Sequence, residues 1–373
     1  MEGSSSGGEY DRPRVSRRRF VKALGAGGIG AASASHLATE GFEGSKGEAV
    51  RIVYAHARED PEDPTSLTPR TRTVSADWYD DLQAALASYE AFDWSSIEGV
   101  RNASVVPGED GGRSSISVGA LHEGAVERIG DLLDGTPVEG SILESSTGDE
   151  FETLEPARRF DPDGGVAVPG GVACGEAEGL ATLAPAIYDP GSGERYFATA
   201  EHLYEDADID ELTLVTSEGR IEIGSVVRRY HSEDLALIAP TREFTPDHAL
   251  DGDTTRRVAG QFTRLGLADL KARGVDIHKV GAMSGHTTGR IQAIDGISCV
   301  YGDPCKRGQL KWGSETEFTD GDSGSVSYAP DPEHPDEQVL VCGLNNARTW
   351  WPGEDYIWGT GAYALQEEYG YTF

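Results

Sequence analysis

From Leu180 to Leu344 the chain is a succession of short β-rich runs with turn residues between them. Leu180–Tyr188, Arg195–Thr199, Glu211–Thr216, Arg220–Tyr230 and Leu235–Ala239 come first. Val258–Leu265, Val275–Gly281, Gly289–Ile294, Val326–Tyr328 and Val339–Leu344 follow. Helical periodicity is scarce in this part, apart from Tyr363–Tyr369 near the C-terminus. A lone strand can neither satisfy its own backbone nor cover its apolar face. Many short strands at this spacing therefore imply a sandwich or a barrel. Residues 170–373 are expected to form one all-β domain.

The preceding part reads differently. Val50–His56 is a short apolar run, and Ser75 is a plausible N-cap ahead of Trp78, Leu82, Ala85, Leu86 and Tyr89 at helical spacing. Val100–Val106 and Ser114–Ala120 read as a hairpin, Val126, Ile129 and Leu133 as a second helix, and Val138–Leu143 as a last strand. The order βαββαβ is that of a small α+β, ferredoxin-like split βαβ unit, expected over 41–144. It holds no cluster of chemistry-bearing side chains. Residues 145–169 shift to Ser, Thr, Asp, Gly and Pro and read as a linker.

Charge removes several functions. The 373 residues carry 64 Asp plus Glu against 32 Lys plus Arg, a net charge of −32. That balance argues against DNA or RNA, whose phosphates attract Lys and Arg, and against docking on anionic lipid. Only six of the basic residues are lysines. Acid-rich and Lys-poor composition resembles that of proteins from salt-loving archaea, where salt screens the self-repulsion.

The first forty residues read as an address. Ser16-Arg17-Arg18-Arg19-Phe20-Val21-Lys22 precedes a Gly/Ala-rich run to Ala32, and Ala32-Ser33-Ala34 suits a small-residue cleavage site. The run is too short and glycine-rich for a permanent membrane span. It resembles a twin-arginine export signal, so the protein is expected to be secreted after folding. Export makes the four cysteines an even set in an oxidising compartment. Cys299 and Cys305 flank a turn-rich loop that a bridge could close, and Cys174 with Cys342 is left by elimination. Without a C-x-x-C pair the zinc reading is weak.

Three short motifs lie in the β-rich part: Thr199-Ala200-Glu201-His202 at the end of a strand, Asp234-Leu235-Ala236-Leu237-Ile238 at the start of another, and Gly321-Asp322-Ser323-Gly324-Ser325 in a turn. Each alone is an ordinary structural element. Together they fit one chemistry. A serine hydroxyl needs a base to become a nucleophile, an imidazole can take the proton and return it, and a carboxylate can hold the ring's tautomer. Glycine at 321 lets its N–H point, with that of Ser323, at a developing oxyanion.

These motifs, with the stretch Lys279–Gly289, resemble the trypsin/chymotrypsin family of serine proteases, most like its α-lytic and streptogrisin-type bacterial branch. The resemblance covers roughly Gly170–Phe373. It implies a chymotrypsin-like double β-barrel and a triad of His202, Asp234 and Ser323, with Gly321 and Ser323 supplying the oxyanion hole. Glu317, six residues before Ser323, falls where trypsin-like members carry the acid of the specificity pocket; it is equally read as one more surface acid. Glu201 stands where the family has a small residue, and Ser325 where it has Gly. Ala282 replaces an Arg that would pair with Asp322, leaving a freed N-terminus near Val166 or another Arg as its partner.

The resemblance implies a secreted serine endopeptidase acting on protein or peptide substrates, with no cofactor or metal and as a monomer. By position, 41–144 is expected to be the pro-region of a zymogen. Two other classes compare less well. An inactive protease-fold binding protein would not need the full triad, and an α/β-hydrolase esterase would carry Ser before Asp before His. His231 reads as a solvated loop residue.

Overall fold

Val50, Ile52 and Tyr54 turn inward at every second position and open the described chain of the computed structural model as strand β1 (Ala49–Arg58). The structure describes residues 49–373 except 61–62, 110, 134, 144–154, 162–165, 177–178, 205–209, 300–304 and 352–353. The export signal expected over 1–40 and much of the linker expected over 145–169 lie outside the described residues.

After β1 come β2 (Leu67–Ser75), α1 (Ala76–Glu90), β3 (Val100–Val106), β4 (Ser115–Ala120), α2 (Glu123–Leu132) and β5 (Val138–Ile142). Helix α1 buries Leu82, Ala85, Leu86 and Tyr89, the positions its periodicity marks. Leu82 and Leu86 each contribute on the order of 2 kcal/mol by leaving water. His122 caps α2, its ring nitrogen accepting from the Ala125 N–H at 3.2 Å. The order is the expected one with β2 added, an antiparallel partner of β1.

The β-rich part begins with β6 (Ala167–Gly170). A seven-stranded sheet then forms from β7 (Ala173–Gly175), β8 (Ala181–Thr182), β9 (Ile187–Asp189), β10 (Glu194–Ala200), β11 (Glu211–Thr216), β12 (Gly219–Tyr230) and β13 (Leu235–Pro240), in the order β8-β7-β11-β12-β13-β10-β9. Its inward residues, among them Phe197, Leu212, Leu214, Ile223 and Ile238, make one core. Phe160 joins that core and its N–H donates to Val215 O at 3.0 Å, so part of the expected linker is packed structure.

Next come β14 (Thr245–Leu250), β15 (Asp253–Phe262), α3 (Arg264–Ala272), β16 (Asp276–Gly281), β17 (Gly285–Ser298), β18 (Lys306–Trp312), β19 (Val326–Pro330), β20 (Gln338–Trp351), β21 (Glu354–Gly361) and α4 (Ala362–Tyr369). Strands β20, β19, β16, β17, β18 and β21 pair antiparallel in that order, and β21 returns to β20. That ring is a closed barrel with no free edge. The expected double-barrel architecture is present, as one closed barrel and one open, half-barrel sheet.

The α+β segment is spliced into the second sheet at two places. β1 pairs antiparallel with β15, Ala55 opposite Phe262, and β3 pairs antiparallel with β17, Ala103 opposite Ile297. One core accordingly holds Leu82 and Ile129 from its helices together with Phe262, Leu310, Trp312 and Ile357. The described residues fall in one compact unit.

Two local readings are revised. The strand read over Val258–Leu265 ends at Phe262, because the Thr263 hydroxyl accepts from the Gly266 N–H at 3.0 Å and starts α3. Cys299 and Cys305 are bridged as expected, but Cys174 and Cys342 are free, which corrects their pairing. Each is buried in a different core, Cys174 beside Thr199 and Cys342 behind the closed barrel, so elimination was no guide.

Candidate active site

The apolar run of β13 starts at Leu235, and the residue before it must reverse the chain. Asp234 does so at φ +52°, a region that short polar side chains tolerate better than most. Its carboxylate reaches the 3-10 turn Glu201–Tyr204 at the end of β10. There Asp234 Oδ2 lies 2.8 Å from His202 Nδ1, and Oδ1 accepts the His202 N–H at 2.9 Å. Asp234 is buried, whereas the His202 side chain is 37% exposed. With Nδ1–H donated to the carboxylate, Nε2 is the acceptor nitrogen of the ring.

Burial pushes the Asp234 carboxyl up. The hydrogen bond and charge of His202, with the charge of Lys306, outweigh that and hold it below its ordinary value. Lys306 Nζ lies 3.6 Å from Asp234 Oδ1 and donates to His231 O at 2.9 Å. Glu201 is wholly buried, with His231 Nδ1 3.0 Å from its Oε2. His231 is thus exposed as expected, yet partnered.

The turn that carries Ser323 is built by two glycines, Gly321 at φ +90° and Gly324 at φ +89°. A Cβ on Gly324 would strike Thr182 O, Thr199 Oγ1 and Ala200 N, so the turn lies directly against the strand end that carries His202. Thr182 N–H donates to Ser323 O at 2.8 Å, and Thr182 Oγ1 to Gly321 O at 2.8 Å. Ser323 is nearly buried, its hydroxyl 3.3 Å from Asn346 O. Ser325, which replaces a glycine, accepts from Asn345 Nδ2 at 3.1 Å, and Trp312 Nε1 holds Asn345 at 2.9 Å. The extra hydroxyl is absorbed by that buried relay.

Asp322, next to Ser323, is fully buried. Its Oδ1 accepts the Met283 and Ser284 N–H groups at 3.0 and 3.1 Å, and its Oδ2 the Thr319 N–H at 3.1 Å. Lys279 Nζ meets Oδ2 at 2.7 Å, both side chains fully buried. Burial pulls the Lys279 ammonium down and Asp322 opposes the fall. The partner of Asp322 is therefore neither a freed N-terminus nor an Arg. It is a lysine of β16, three residues before Ala282, where the resemblance led one to expect an Arg.

Glu317 is half-buried and its carboxylate is taken up within its own turn, by the Ser314 N–H and hydroxyl and by the Thr316 hydroxyl at 3.0 Å. His286 stacks near His278, ring centroids 5.3 Å apart, beside a cavity of about 310 Å³ lined by Arg158 and Arg256. The structure pairs His202 with Asp234 and sets the turn of Gly321 and Ser323 against the end of β10 that precedes His202. Sequence reasoning missed Lys279 and Lys306 as partners of Asp322 and Asp234. No local signal could have found them, since Lys279 and Asp322 lie 43 residues apart. Among the described residues no group of acids, histidines and cysteines could hold a metal ion, and no helix is long and apolar enough to cross a membrane.

No family model and no curated protein matches the chain. Among solved structures, it is similar to a glutamic-acid-specific serine protease at 18% identity and a TM-score of 0.43, over 55% of this chain and 99% of the other. A Nocardiopsis protease gives 18% identity and 0.41, over 55% and 97%. A homologue of α-lytic protease gives 17% and 0.39, over 55% and 98%.

Proposed function

We propose that this chain is a serine endopeptidase whose Ser323, His202 and Asp234 act as nucleophile, base and orienting acid. The observation that carries this is Asp234, which accepts both the ring and backbone N–H of His202 next to a glycine-built turn presenting Ser323. His202 Nε2 would take the Ser323 proton as the hydroxyl attacks a peptide carbonyl, then return it to the leaving amine. An acyl-enzyme then forms, and water hydrolyses it by the same steps. The N–H groups of Gly321 and Ser323 would hold the oxyanion, a contribution of about 10²–10³ in rate. No cofactor enters.

Finer parts of the reading rest on the sequence. The twin-arginine signal supports secretion after folding, and the acid-rich, Lys-poor composition supports a salt-rich habitat. Residues 41–144 are read as a pro-region that helps the barrel fold and is cut from it in the linker. Glu317, engaged in its own turn, gains no support as a specificity acid. The alternative, a protease fold kept only for binding, lacks any observation that favours it.

Labelling with a fluorophosphonate in high salt tests the enzyme reading. Wild type should label and Ser323→Ala should not; an unlabelled wild type would sink it. A peptide library then separates peptidase from esterase, and ester turnover without peptide turnover would overturn the protease assignment.

A further inference from the structure

Strand β18 begins at Lys306, immediately after the Cys299–Cys305 bridge. This hairpin end is fixed on one side to the α+β segment, where the Cys299 N–H donates to Arg101 O at 2.7 Å. On the other side it grips the turn that carries Asp234. Arg307 N–H donates to Ser232 O at 3.0 Å and Lys306 Nζ to His231 O at 2.9 Å, while Thr360 Oγ1 of the neighbouring β21 donates to Glu233 O at 2.6 Å. From there the Lys306 ammonium stands 3.6 Å from Asp234 Oδ1, with its side chain only 15% exposed.

We propose that Lys306 is a positioning residue for the His202–Asp234 pair, a fixed positive charge behind the carboxylate that makes His202 a weaker base. The inference rests on the triad reading above. Asp234 stabilises a protonated His202; a cation on the far side of the same carboxylate opposes that protonation. The ring is then kept as free base to lower pH than the carboxylate alone would allow. Other charged groups around the pair are the Glu201–His231 contact at 3.0 Å and Glu233, held by the Tyr369 hydroxyl at 2.8 Å. Burial pushes the Glu233 carboxyl above its ordinary value. Lys306 is the cation that touches Asp234 itself among the described residues.

The charge can be separated from the hydrogen bond. Lys306→Gln removes the charge and keeps a donor for His231 O, while Lys306→Arg keeps the charge. NMR titration of the His202 ring in a Ser323→Ala background reads the effect without turnover, and the acid limb of kcat/KM reads it in the active protein. Lys306→Gln should raise the His202 pKa, and the acid limb with it, by roughly half to one pH unit at low salt, and Lys306→Arg should restore both. An unchanged or lowered His202 pKa in Lys306→Gln overturns the proposal, as does an equal shift in Gln and Arg variants. If the wild type fails to label with a fluorophosphonate, the protease reading falls, yet the titration still decides whether Lys306 sets the ring's basicity.

Discussion

The Lys279 ammonium lies 2.7 Å from Asp322 Oδ2, and neither side chain reaches solvent. The carboxylate next to Ser323 is thereby neutralised from inside the barrel, by a strand hydrogen-bonded to β17 and β19. Removing one member leaves the other charge buried alone. We predict that Lys279→Met costs about 3–5 kcal/mol of stability and displaces the Ser323 turn. Lys279→Met with Asp322→Asn should regain a good part of that loss, since the amide keeps an acceptor for Met283 and Ser284. Thermal unfolding of the two variants decides it; equal stability of single and double variants would show that the pair is not coupled.

Gly324 has no room for a methyl group and a backbone that L side chains rarely adopt. Gly324→Ala is expected to push Ser323 off the strand end at Ala200, with a loss of labelling rate of at least about 100-fold, the scale at which small misplacements act. A folded variant that labels at the wild-type rate would show that the close approach is not needed.

His248 on β14 is buried, and neither ring nitrogen has a hydrogen-bond partner among the described residues. Burial, with the charges of Arg58, Arg195 and Arg257, pulls its pKa down to about 2. Below an ordinary pKa of about 6.5 the unfolded chain binds a proton that the native state refuses. Stability should therefore fall as pH drops from about 6.5, by roughly 1.4 kcal/mol per unit from this group alone. Denaturant unfolding between pH 7 and pH 4.5 should show a shallower fall in His248→Phe, and parallel curves would remove His248 as the cause.

The α+β segment shares strands and core with the barrel. Arg58 is wholly buried and donates to Val258 O at 3.1 Å, and β1 and β3 each pair with a barrel strand. A protease nick within 144–154 is expected to leave the two pieces bound, co-eluting in size exclusion and parting only in denaturant. Dissociation in native buffer would mean that the shared core is too weak to hold them.

Glu317 makes its local bonds at Ser314 and Thr316. Glu317→Gln should leave the preference for the residue before the scissile bond unchanged, and a loss of Arg or Lys preference would return Glu317 to the specificity pocket.

Much of this was legible in the sequence because it is local or periodic. The inward positions of α1, the strand before His202, the apolar run after Asp234 and the glycines around Ser323 all declare themselves within a few residues. Thr263, by contrast, carried an N-cap signal that the β-rich surroundings masked, and the strand read over Val258–Leu265 ran on into the start of α3. The pairing of Cys174 with Cys342 failed because counting cysteines says nothing of which core each enters.

The chain's order of motifs thus placed by itself a His, an Asp and a Ser on strand ends and turns of a β fold. Only the tertiary structure decided what stands behind them. Lys279 behind Asp322 is a contact within the closed barrel, Lys306 behind Asp234 joins the two sheets, and His231 beside Glu201 lies within the open sheet. In a chain with 64 acidic residues, composition cannot single out the few carboxylates that lose their water. Burial does, because a charge taken out of solvent must find its counter-charge in whatever strand packs against it.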